Sequence, residues 1–402
     1  MIFNEPAFFV ALAVSVLVFR FLPAAAKPWW LFLTGILFYA YFSPAFVAVL
    51  LAEIVLVYVL GGIVRRRGNG ATLAFAAGLV ITIGLLMVYK YGGLLSSTAT
   101  GAGANGLPTF EDVRLPLAIS FFTFEFVHYL VDAREGRLPE HAAEDFLGFA
   151  LFIPTMVAGP IKRFQGFYCQ VREARTSAED LTEGTTRILV GLAKKVVLAD
   201  TLMLWTEPLT AQAALEAATR LDIVVALVAY SLRIYLDFSG YSDIAIGSAR
   251  LFGLKVPENF AWPYLKTNIA DFWRSWHISL TGWIRDYVYV PLGGSRCATW
   301  RQCVNLIAAF AVSGIWHGAA WNFLGWGLYH GTLMAGHRVY TLKLKPQLPV
   351  VANPLLQRTI AGTRALAAGV LTFSLVSLGW GLFAMPFSRF VIMLRQLVTG
   401  GM

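Results

Sequence analysis

The chain has 402 residues, of which 57% are hydrophobic and only 14% are charged. Ordinary soluble domains carry roughly 25% charged residues, so this composition excludes a water-soluble globule. Because about 20 apolar residues cross a bilayer core, the chain has room for about ten membrane segments. We therefore expect one polytopic membrane domain, residues 1–402.

Basic residues outnumber acidic residues by 32 to 23, which gives a formal net charge of +9. In a membrane protein such an excess indicates basic loops on the cytoplasmic side. The basic residues are scattered between apolar segments and form no stripe, which disfavours nucleic-acid binding. The three cysteines, Cys169, Cys297 and Cys303, have neither a disulfide nor a zinc spacing, and we expect them to be small apolar fillers.

Apolar segments recur along the whole chain. They cover residues 7–22, 29–42, 45–64, 72–91, 115–131, 145–160, 187–206, 221–238, 303–321, 321–339 and 365–385. The first resembles a signal peptide, but Glu5 precedes it and Arg20 and Lys27 follow it. This charge order predicts a retained first helix with its N-terminus outside the cytoplasm.

Charged connections set the expected orientation of the following segments. The arginines of 65–67 should be cytoplasmic, as should the loop 132–144, whereas 92–108 should be extracytoplasmic. Segment 145–160 is short and contains two prolines, so we predict a re-entrant hairpin there. Ser177 is a predicted N-cap of the next helix.

A helix over residues 269–287 would be amphipathic. It would gather Arg274, His277, Thr281 and Arg285 on one face, opposite a face rich in tryptophan. Such a helix either lies at the membrane interface, with its tryptophans at headgroup level, or lines a cavity. Because His277 would lie between two arginines, its imidazole should favour the neutral form.

A second histidine, His317, falls at the end of the apolar segment 303–321. An ionisable group there indicates a functional site, although a hydrogen-bonded histidine at a helix interface is the structural alternative. Gly314 and Gly318 flank it and would let another backbone or a substrate approach closely. We expect structural roles for His330 and His337, and the sequence suggests no partner for His128 or His141.

Two acids lie in the cluster 235–243, at the end of the apolar run 221–238. Asp237 and Asp243 would either pair with arginines of the 269–287 face or mark a helix break at Gly240. The histidine spacings predict no metal site, and neither a phosphate loop nor a nucleophile elbow is present. A histidine base without its own nucleophile suits direct acyl transfer to a hydroxyl group.

The chain resembles the membrane-bound O-acyltransferases, in particular the branch of the bacterial alginate acetylases. The resemblance covers about half of the chain. The matching stretches are 115–132 (LPLAISFFTFEFVHYLVD), 157–164 (VAGPIKRF), 235–247 (YLDFSGYSDIAIG), 259–296 with the core DFWRSWHISLTGWIRDYVYVPLGGSR, 313–322 (SGIWHGAAWN) and 325–331 (GWGLYHG).

This resemblance implies an all-helical fold around a funnel in the bacterial inner membrane, with His317 as catalytic histidine and His277 as a second active-site histidine. It also implies transfer of an acetyl group from cytoplasmic acetyl-CoA, a donor substrate rather than a bound cofactor, to an extracytoplasmic polysaccharide. A periplasmic acetyltransferase partner is a further expectation. The residues expected to contact substrate are Arg274, Arg285, Asp237, Trp316 and Asn322, and the basic Lys162 and Arg163 should attract an anionic donor.

Two other functions stay open. One is transfer of D-alanine towards teichoic acid from a carrier protein, as in a sister branch of the family, although the PLGGSR stretch at 291–296 favours the glycan-acetylating branch. The other is a transporter whose buried histidines relay protons, but the sequence has no inverted pair of interrupted segments.

The C-terminal part of the chain departs from the family pattern. The stretch 379–386 resembles the family's closing pattern but lacks its arginine, and the tail after Leu342 is modest. We therefore do not expect that a partner docks on this tail as it does in the family.

Overall fold

A computed structural model describes residues 5–94, 96, 115–344 and 354–399, the side chains of 354–361 excepted. Within these ranges every regular element is helical, and the only strand-like pairing is an isolated bridge between Phe260 and Trp276. The all-helical fold class is therefore confirmed. Most of the predicted extracytoplasmic stretch 92–108 lies outside the described residues.

Nine helices occupy the described part of residues 5–192. They are α1 (Pro6–Phe19), α2 (Lys27–Phe42), α3 (Val47–Arg65), α4 (Ala71–Leu86), α5 (Ile119–Glu135), α6 (Ala143–Ala150), α7 (Ile153–Met156), α8 (Phe164–Val171) and α9 (Ala178–Leu192). The next are α10 (Asp200–Leu202), α11 (Glu207–Thr210), α12 (Gln212–Ala217), α13 (Arg220–Leu251), α14 (Ile269–Ser275) and α15 (Ile278–Ile284). The last are α16 (Thr299–His317), α17 (Trp321–Val339), α18 (Pro354–Ala384) and α19 (Phe387–Thr399).

Wider π-helical turns extend four of these helices. They lie at Met87–Tyr91, Ala193–Ala199, Arg285–Tyr289 and Tyr340–Leu344. Short 3₁₀ turns occur at Ala24–Ala26, Pro44–Phe46, Met203–Trp205 and Pro263–Leu265.

Three helical stretches of the described residues are long and apolar enough to cross a membrane. They are Pro44–Arg65, Ala71–Leu94 and Gly362–Ala384, and α1 is an apolar helix that is shorter. A span needs about 20 predominantly apolar residues, which each of the three supplies. The protein is therefore a membrane protein.

The chain folds into two compact units, each with its own core. The first consists of Met1–Ala193 and Gly240–Glu258, and the second of Lys194–Ser239 and Asn259–Met402. Helix α13 contributes residues to both units. The prediction of one domain over 1–402 stays a prediction.

The core of the first unit is aromatic. Tyr129 and Phe146 lie 4.2 Å apart, measured between ring centroids, and Phe149 and Phe164 lie 5.4 Å apart. The predicted re-entrant segment 145–160 supplies much of this core as two short helices, α6 and α7, whose residues are almost completely buried. Its path relative to the membrane remains a prediction.

The N-terminus of helix α9 is capped by side chains. Helix α9 begins with Ser177, whose hydroxyl oxygen accepts a hydrogen bond from the backbone N–H of Asp180 at 3.0 Å, while the Asp180 carboxylate accepts from the backbone N–H of Ser177. This reciprocal arrangement is a capping box. The predicted N-cap is therefore confirmed.

The predicted helix break at Gly240 is wrong, because α13 runs unbroken from Arg220 to Leu251. The bare backbone of Gly240 instead permits close packing, since its carbonyl oxygen would lie 2.6 Å from a Cβ added at Gly191. A glycine within a helix thus serves a helix contact in the first unit rather than a chain break.

The second unit has a core rich in tryptophan. Trp273, Trp276, Trp326 and Trp380 are each at most 5% exposed and belong to one hydrophobic cluster. The Trp380 indole N–H donates to the hydroxyl of Tyr264 at 3.0 Å. These tryptophans pack inside the protein, so the alternative that placed the tryptophans of 269–287 at headgroup level does not describe Trp273 or Trp276.

Candidate functional site

The polar segment 269–287 does not form one helix. Helix α14 ends at Ser275, Trp276 has extended backbone, and His277 adopts the left-handed conformation with φ 43° and ψ 55° before α15 begins. The prediction of a continuous amphipathic helix is therefore wrong. The break removes the shared helical face that would have aligned His277 with Arg274 and Arg285.

Pairing with the preceding segment holds this break in place. The backbone N–H of Ile278 donates to the carbonyl of Asn259 at 2.9 Å, and the N–H of Ala261 donates to the carbonyl of Ser275 at 3.0 Å. The Asn259 side-chain oxygen accepts from the Ser279 hydroxyl at 2.6 Å. Because a non-glycine residue at positive φ is costly, these contacts must compensate for the conformation of His277.

The imidazole of His277 is buried, with an exposed fraction of only 2%. It lies against the ring of Phe238, 4.6 Å away between centroids, and the ring of Trp316, 6.2 Å away. Neither of its ring nitrogens has a hydrogen-bond partner within the described residues. Burial, and then the charge of His317, holds the pKa of His277 well below its usual range, so the ring is neutral at pH 7.

The expected neutral form of His277 thus has a different physical cause from the one predicted. Arg274 is mostly exposed and pairs with Asp271 at 3.0 Å, and Arg285 is equally exposed and pairs with Asp286 at 2.8 Å. Neither arginine flanks the imidazole. Their expected contact with substrate stays a prediction.

His317 is the last residue of α16, where the helix gives way to the extended backbone of Gly318. Its side chain is half-buried, and its ring lies 4.7 Å from Trp316 and 5.1 Å from both Trp326 and Phe383. The negative end of the helix dipole lies at this terminus and would stabilise a protonated imidazole. His317 is thus more accessible than His277.

Glycines position the helix that carries His317. A Cβ at Gly314 would collide with the carbonyl oxygen of Phe323, and one at Gly327 would collide with the carbonyl of Phe310. The backbones of α16 and α17 therefore pack directly against each other. Gly318 is equally restricted, because a Cβ there would overlap the ring of Phe323. The expectation that Gly314 and Gly318 permit a close approach is confirmed for protein contacts.

The other predicted substrate residues have different surroundings. The ring of Trp316 lies near those of both His277 and His317. The Asn322 amide donates to the carbonyl of Leu382 at 3.1 Å and so links α17 to α18. Asp237 pairs with Lys195 at 2.7 Å rather than with an arginine of segment 269–287. The structure therefore brings Trp316 to the two histidines, whereas the described contacts of Asn322 and Asp237 are with other groups.

More unpaired polar atoms lie in the same tryptophan-rich core. His330 is fully buried, and neither of its ring nitrogens has a hydrogen-bond partner in the described part of the chain. The indole nitrogens of Trp273 and Trp326, whose rings each lie 5.0 Å from that of His330, are also unpaired there. A buried polar group without a partner costs about 1–3 kcal/mol, so each of these atoms calls for a partner that the described residues do not supply.

Three contributors to the site were not identified from the sequence. Phe238 covers His277, Phe383 packs against His317, and Asn259 is fully buried beneath the helix break. Phe238 lies in the cluster 235–243 at the end of segment 221–238, and the polar residues of that cluster were the hint that the sequence offered. The described residues contain no group of three or more His, Cys, Asp or Glu side chains placed to hold a metal ion.

Comparison with known proteins identifies relatives over most of the chain. A probable alginate O-acetylase from Pseudomonas aeruginosa is 34% identical over 88% of this chain, and the match covers 66% of that relative, just under two thirds of its length. The peptidoglycan O-acetyltransferase of Helicobacter pylori is 32% identical over 95% of this chain and 77% of its own. The teichoic acid D-alanyltransferase of Bacillus subtilis is 30% identical over 69% of this chain and 70% of its own.

The family model of the membrane-bound O-acyltransferases matches residues 79–350. This range contains His277, the helix break at that residue, and His317. The expected class of enzyme, an acyltransferase, is confirmed at the level of the family. The chain belongs to the membrane-bound O-acyltransferase family.

Proposed function

We propose that this protein transfers an acetyl group from acetyl-CoA to a hydroxyl of an extracytoplasmic polysaccharide, with His317 as general base. The observation that carries this proposal is the pair of histidines, His277 and His317, whose rings both lie close to the ring of Trp316. Two comparisons support this proposal. The family supports acyl transfer, and relatives named as an alginate O-acetylase and a peptidoglycan O-acetyltransferase support an acetyl group and a polysaccharide acceptor.

The two histidines are suited to different tasks. His317 is half-buried at a helix terminus, so it can reach a substrate and its protonated form is stabilised there. His277 is buried and stays neutral, so its unpaired nitrogens can orient a substrate or a second polar group without adding charge. A general base must reach the substrate and accept a proton, as His317 can. A buried neutral group such as His277 can orient the substrate for that base.

The reaction follows from these roles. His317 takes the proton from the acceptor hydroxyl as the oxygen attacks the carbonyl carbon of the thioester. The carbon–sulfur bond then breaks, the thiolate leaves as CoA, and the imidazolium returns its proton to that sulfur. The products are an O-acetyl ester and free CoA. The aromatic rings of Trp316, Trp326 and Phe383 around His317 keep water away and so limit hydrolysis of the thioester.

The membrane arrangement is part of the proposal. We place the chain in the bacterial inner membrane with its N-terminus outside the cytoplasm, and we assign the remaining apolar helices to a total of about ten spans around a funnel. The arginines of 65–67, at the end of the first long apolar helix, favour this orientation. The acetyl group reaches the polysaccharide either directly or through a periplasmic acetyltransferase partner, and both routes belong to the same proposal.

The decisive test measures ester-linked acetyl on surface polysaccharides by NMR, in cells with the wild-type chain and with His317→Ala at equal membrane levels. We expect acetylation to fall by about 10²–10⁴-fold, the usual contribution of a general base. His337→Ala serves as the matched control and should retain full acetylation. Full acetylation with His317→Ala would remove this residue from the catalytic role.

A second comparison separates the two histidines. If His277 orients groups for His317, acetylation with His277→Ala should fall less than with His317→Ala, and His277→Asn should recover part of the loss because it restores a polar side chain. NMR of the same polysaccharides measures both effects. A larger loss with His277→Ala than with His317→Ala would exchange the two roles.

Transfer of D-alanine is the second candidate, because the Bacillus subtilis relative bears that activity in its name and is 30% identical. The same NMR samples distinguish the two. If His317→Ala removes D-alanyl esters and leaves acetyl esters unchanged, D-alanyl transfer becomes the function in place of acetyl transfer. The same conclusion would follow if the protein captured an aminoacyl carrier protein and did not turn over acetyl-CoA.

A further inference from the structure

Exposed arginines of the first unit lie between two consecutive membrane-spanning stretches. The stretch Pro44–Arg65 ends directly before Arg66 and Arg67, and the stretch Ala71–Leu94 begins shortly after them. Both arginines are exposed. Because a short turn between two spans lies at the level of the lipid headgroups, their guanidinium groups are at the depth of the phosphates of the bilayer.

A third exposed arginine reaches the same place from helix α5. The guanidinium carbon of Arg134 lies over the ring of Phe75, near the start of α4, at 4.5 Å from the ring centroid. The Arg67 guanidinium lies against the backbone of Gly136, because a Cβ added there would collide with its Nη2. We call Arg66, Arg67 and Arg134 the arginine cluster.

Packing of three helices fixes the arginine cluster as one surface. Val64 at the end of α3, Ala74 in the first turns of α4 and Ala133 near the end of α5 are buried in one small hydrophobic cluster. The arginines follow or neighbour these residues in the chain. The cluster therefore belongs to a folded junction of three helix ends rather than to a loose loop.

Carboxylates do not neutralise the arginine cluster. Within the described residues its three arginines form no ion pair. The neighbouring stretch 132–140 contains three acids, of which Asp132 and Glu135 both bind Arg137. The third acid, Glu140, is one negative charge against three positive charges. The surface therefore keeps a net positive charge.

The backbone of Arg67 indicates that its side chain is needed at this position. Arg67 follows the C-cap of α3 and adopts the left-handed conformation with φ 51°. Glycine is the usual residue at such a helix end, because an L side chain is strained there. A strained arginine in place of glycine points to a role of the guanidinium beyond ending the helix.

Charge and depth together define the ligand. A guanidinium binds phosphate oxygens through two parallel N–H···O bonds, and clusters of basic residues beside a span attract anionic headgroups. The phosphates of the bilayer already lie at the depth of these arginines. We propose that the arginine cluster binds the headgroup of an anionic phospholipid. This site shares no residue with the proposed acyl-transfer site, so its test requires no enzyme activity.

The test measures lipid binding by the purified full-length protein in a neutral detergent, using native mass spectrometry. Phosphatidylglycerol, which is anionic, is compared with phosphatidylcholine of the same acyl chains, which has no net charge. The wild type should bind phosphatidylglycerol more tightly. Arg66→Gln, Arg67→Gln and Arg134→Met should each weaken phosphatidylglycerol binding about fivefold, the contribution of one basic residue at a lipid surface. None should change the binding of phosphatidylcholine.

Two further variants separate binding from folding and from overall charge. Arg67→Gly relieves the left-handed strain, so the melting temperature should stay equal or rise while phosphatidylglycerol binding still weakens about fivefold. Arg296→Gln removes one exposed arginine in the second unit and should bind phosphatidylglycerol as the wild type does.

Three results would overturn the proposal. The first is equal affinity of the wild type for the two lipids, and the second is unchanged phosphatidylglycerol affinity in the variants of the arginine cluster. The third is an equal loss of affinity with Arg296→Gln, since overall charge rather than this surface would then attract the lipid.

Discussion

Buried histidines in the two units differ in their hydrogen bonding. In the first unit, His128 is fully buried, its Nδ1 donates to the carbonyl of Phe124 at 3.1 Å, and its Nε2 accepts from the backbone N–H of Phe164 at 3.3 Å. In the second unit, His277 and His330 are equally buried, yet neither has a hydrogen-bond partner within the described residues.

The difference in hydrogen bonding indicates a structural role for His128 and leaves His277 and His330 without such an explanation. The partners of His128 offset the cost of removing its imidazole from water, so its role is fully explained by the fold. No comparable contact explains His277 or His330, and both lie in the aromatic core that also contacts His317. A buried polar atom whose partner is not supplied by the protein is available to a substrate.

The largest effect should come from breaking a paired group in the first unit. Lys162→Met leaves the Glu125 carboxylate buried without its partner, which should lower the free energy of unfolding by about 3–5 kcal/mol. Thermal unfolding of the protein in detergent measures this. The double variant Lys162→Met with Glu125→Gln should recover most of the loss, and failure to recover would show that packing rather than charge holds this site.

A smaller effect should distinguish the histidines of the two units directly. His128→Phe leaves the Phe164 N–H and the Phe124 carbonyl without partners and should destabilise the protein by about 2–3 kcal/mol. His277→Phe removes no hydrogen bond that the described residues make, so its unfolding free energy should not fall by more than about 1 kcal/mol, whereas acyl transfer should decrease. Equal destabilisation by the two variants in thermal unfolding would contradict the comparison.

The pH dependence of stability gives a further prediction. Because burial lowers the pKa of His277 below its ordinary value of 6.5, protonation favours the unfolded chain. The stability that depends on neutral His277 is therefore complete above pH 6.5 and is lost as the pH falls below it. The loss should be about 1.4 kcal/mol per pH unit for this one proton.

His277→Phe tests this pH dependence. Between pH 6.5 and 4.5, the unfolding free energy of the variant should decline less steeply than that of the wild type, by the contribution of one proton. Denaturant unfolding at several pH values measures both slopes. Identical slopes would mean that His277 is not protonated on unfolding in this range.

Hydropathy predicted two consecutive helices well. The apolar segments 303–321 and 321–339 correspond to Thr299–His317 and Trp321–Val339, and the break between these helices is the short stretch 318–320 of glycine and alanine. Ser177 was identified because a capping box depends on residues close in sequence. Both features are local, and a local pattern can be read from one sequence.

The break at His277 could not be predicted in this way. The apolar residues Trp273, Trp276 and Leu280 keep a helical spacing across it, so the periodicity alone favours one helix. The break depends on pairing with Asn259 and Ala261, which lie more than ten positions earlier in the chain. Such tertiary contacts override local propensity. The sequence therefore predicted a site with the two histidines, which stays a prediction, and it did not predict the backbone that positions His277.

The glycine contact between α16 and α17 also limits how the site can be altered by protein engineering. Gly314 and Gly327 place backbone against backbone, so a larger residue at either position would push the two helices apart. Phe383 on α18 makes no such backbone contact and presents its ring to His317. A programme that seeks to accommodate a different acyl group should therefore randomise Phe383 and leave the glycines untouched.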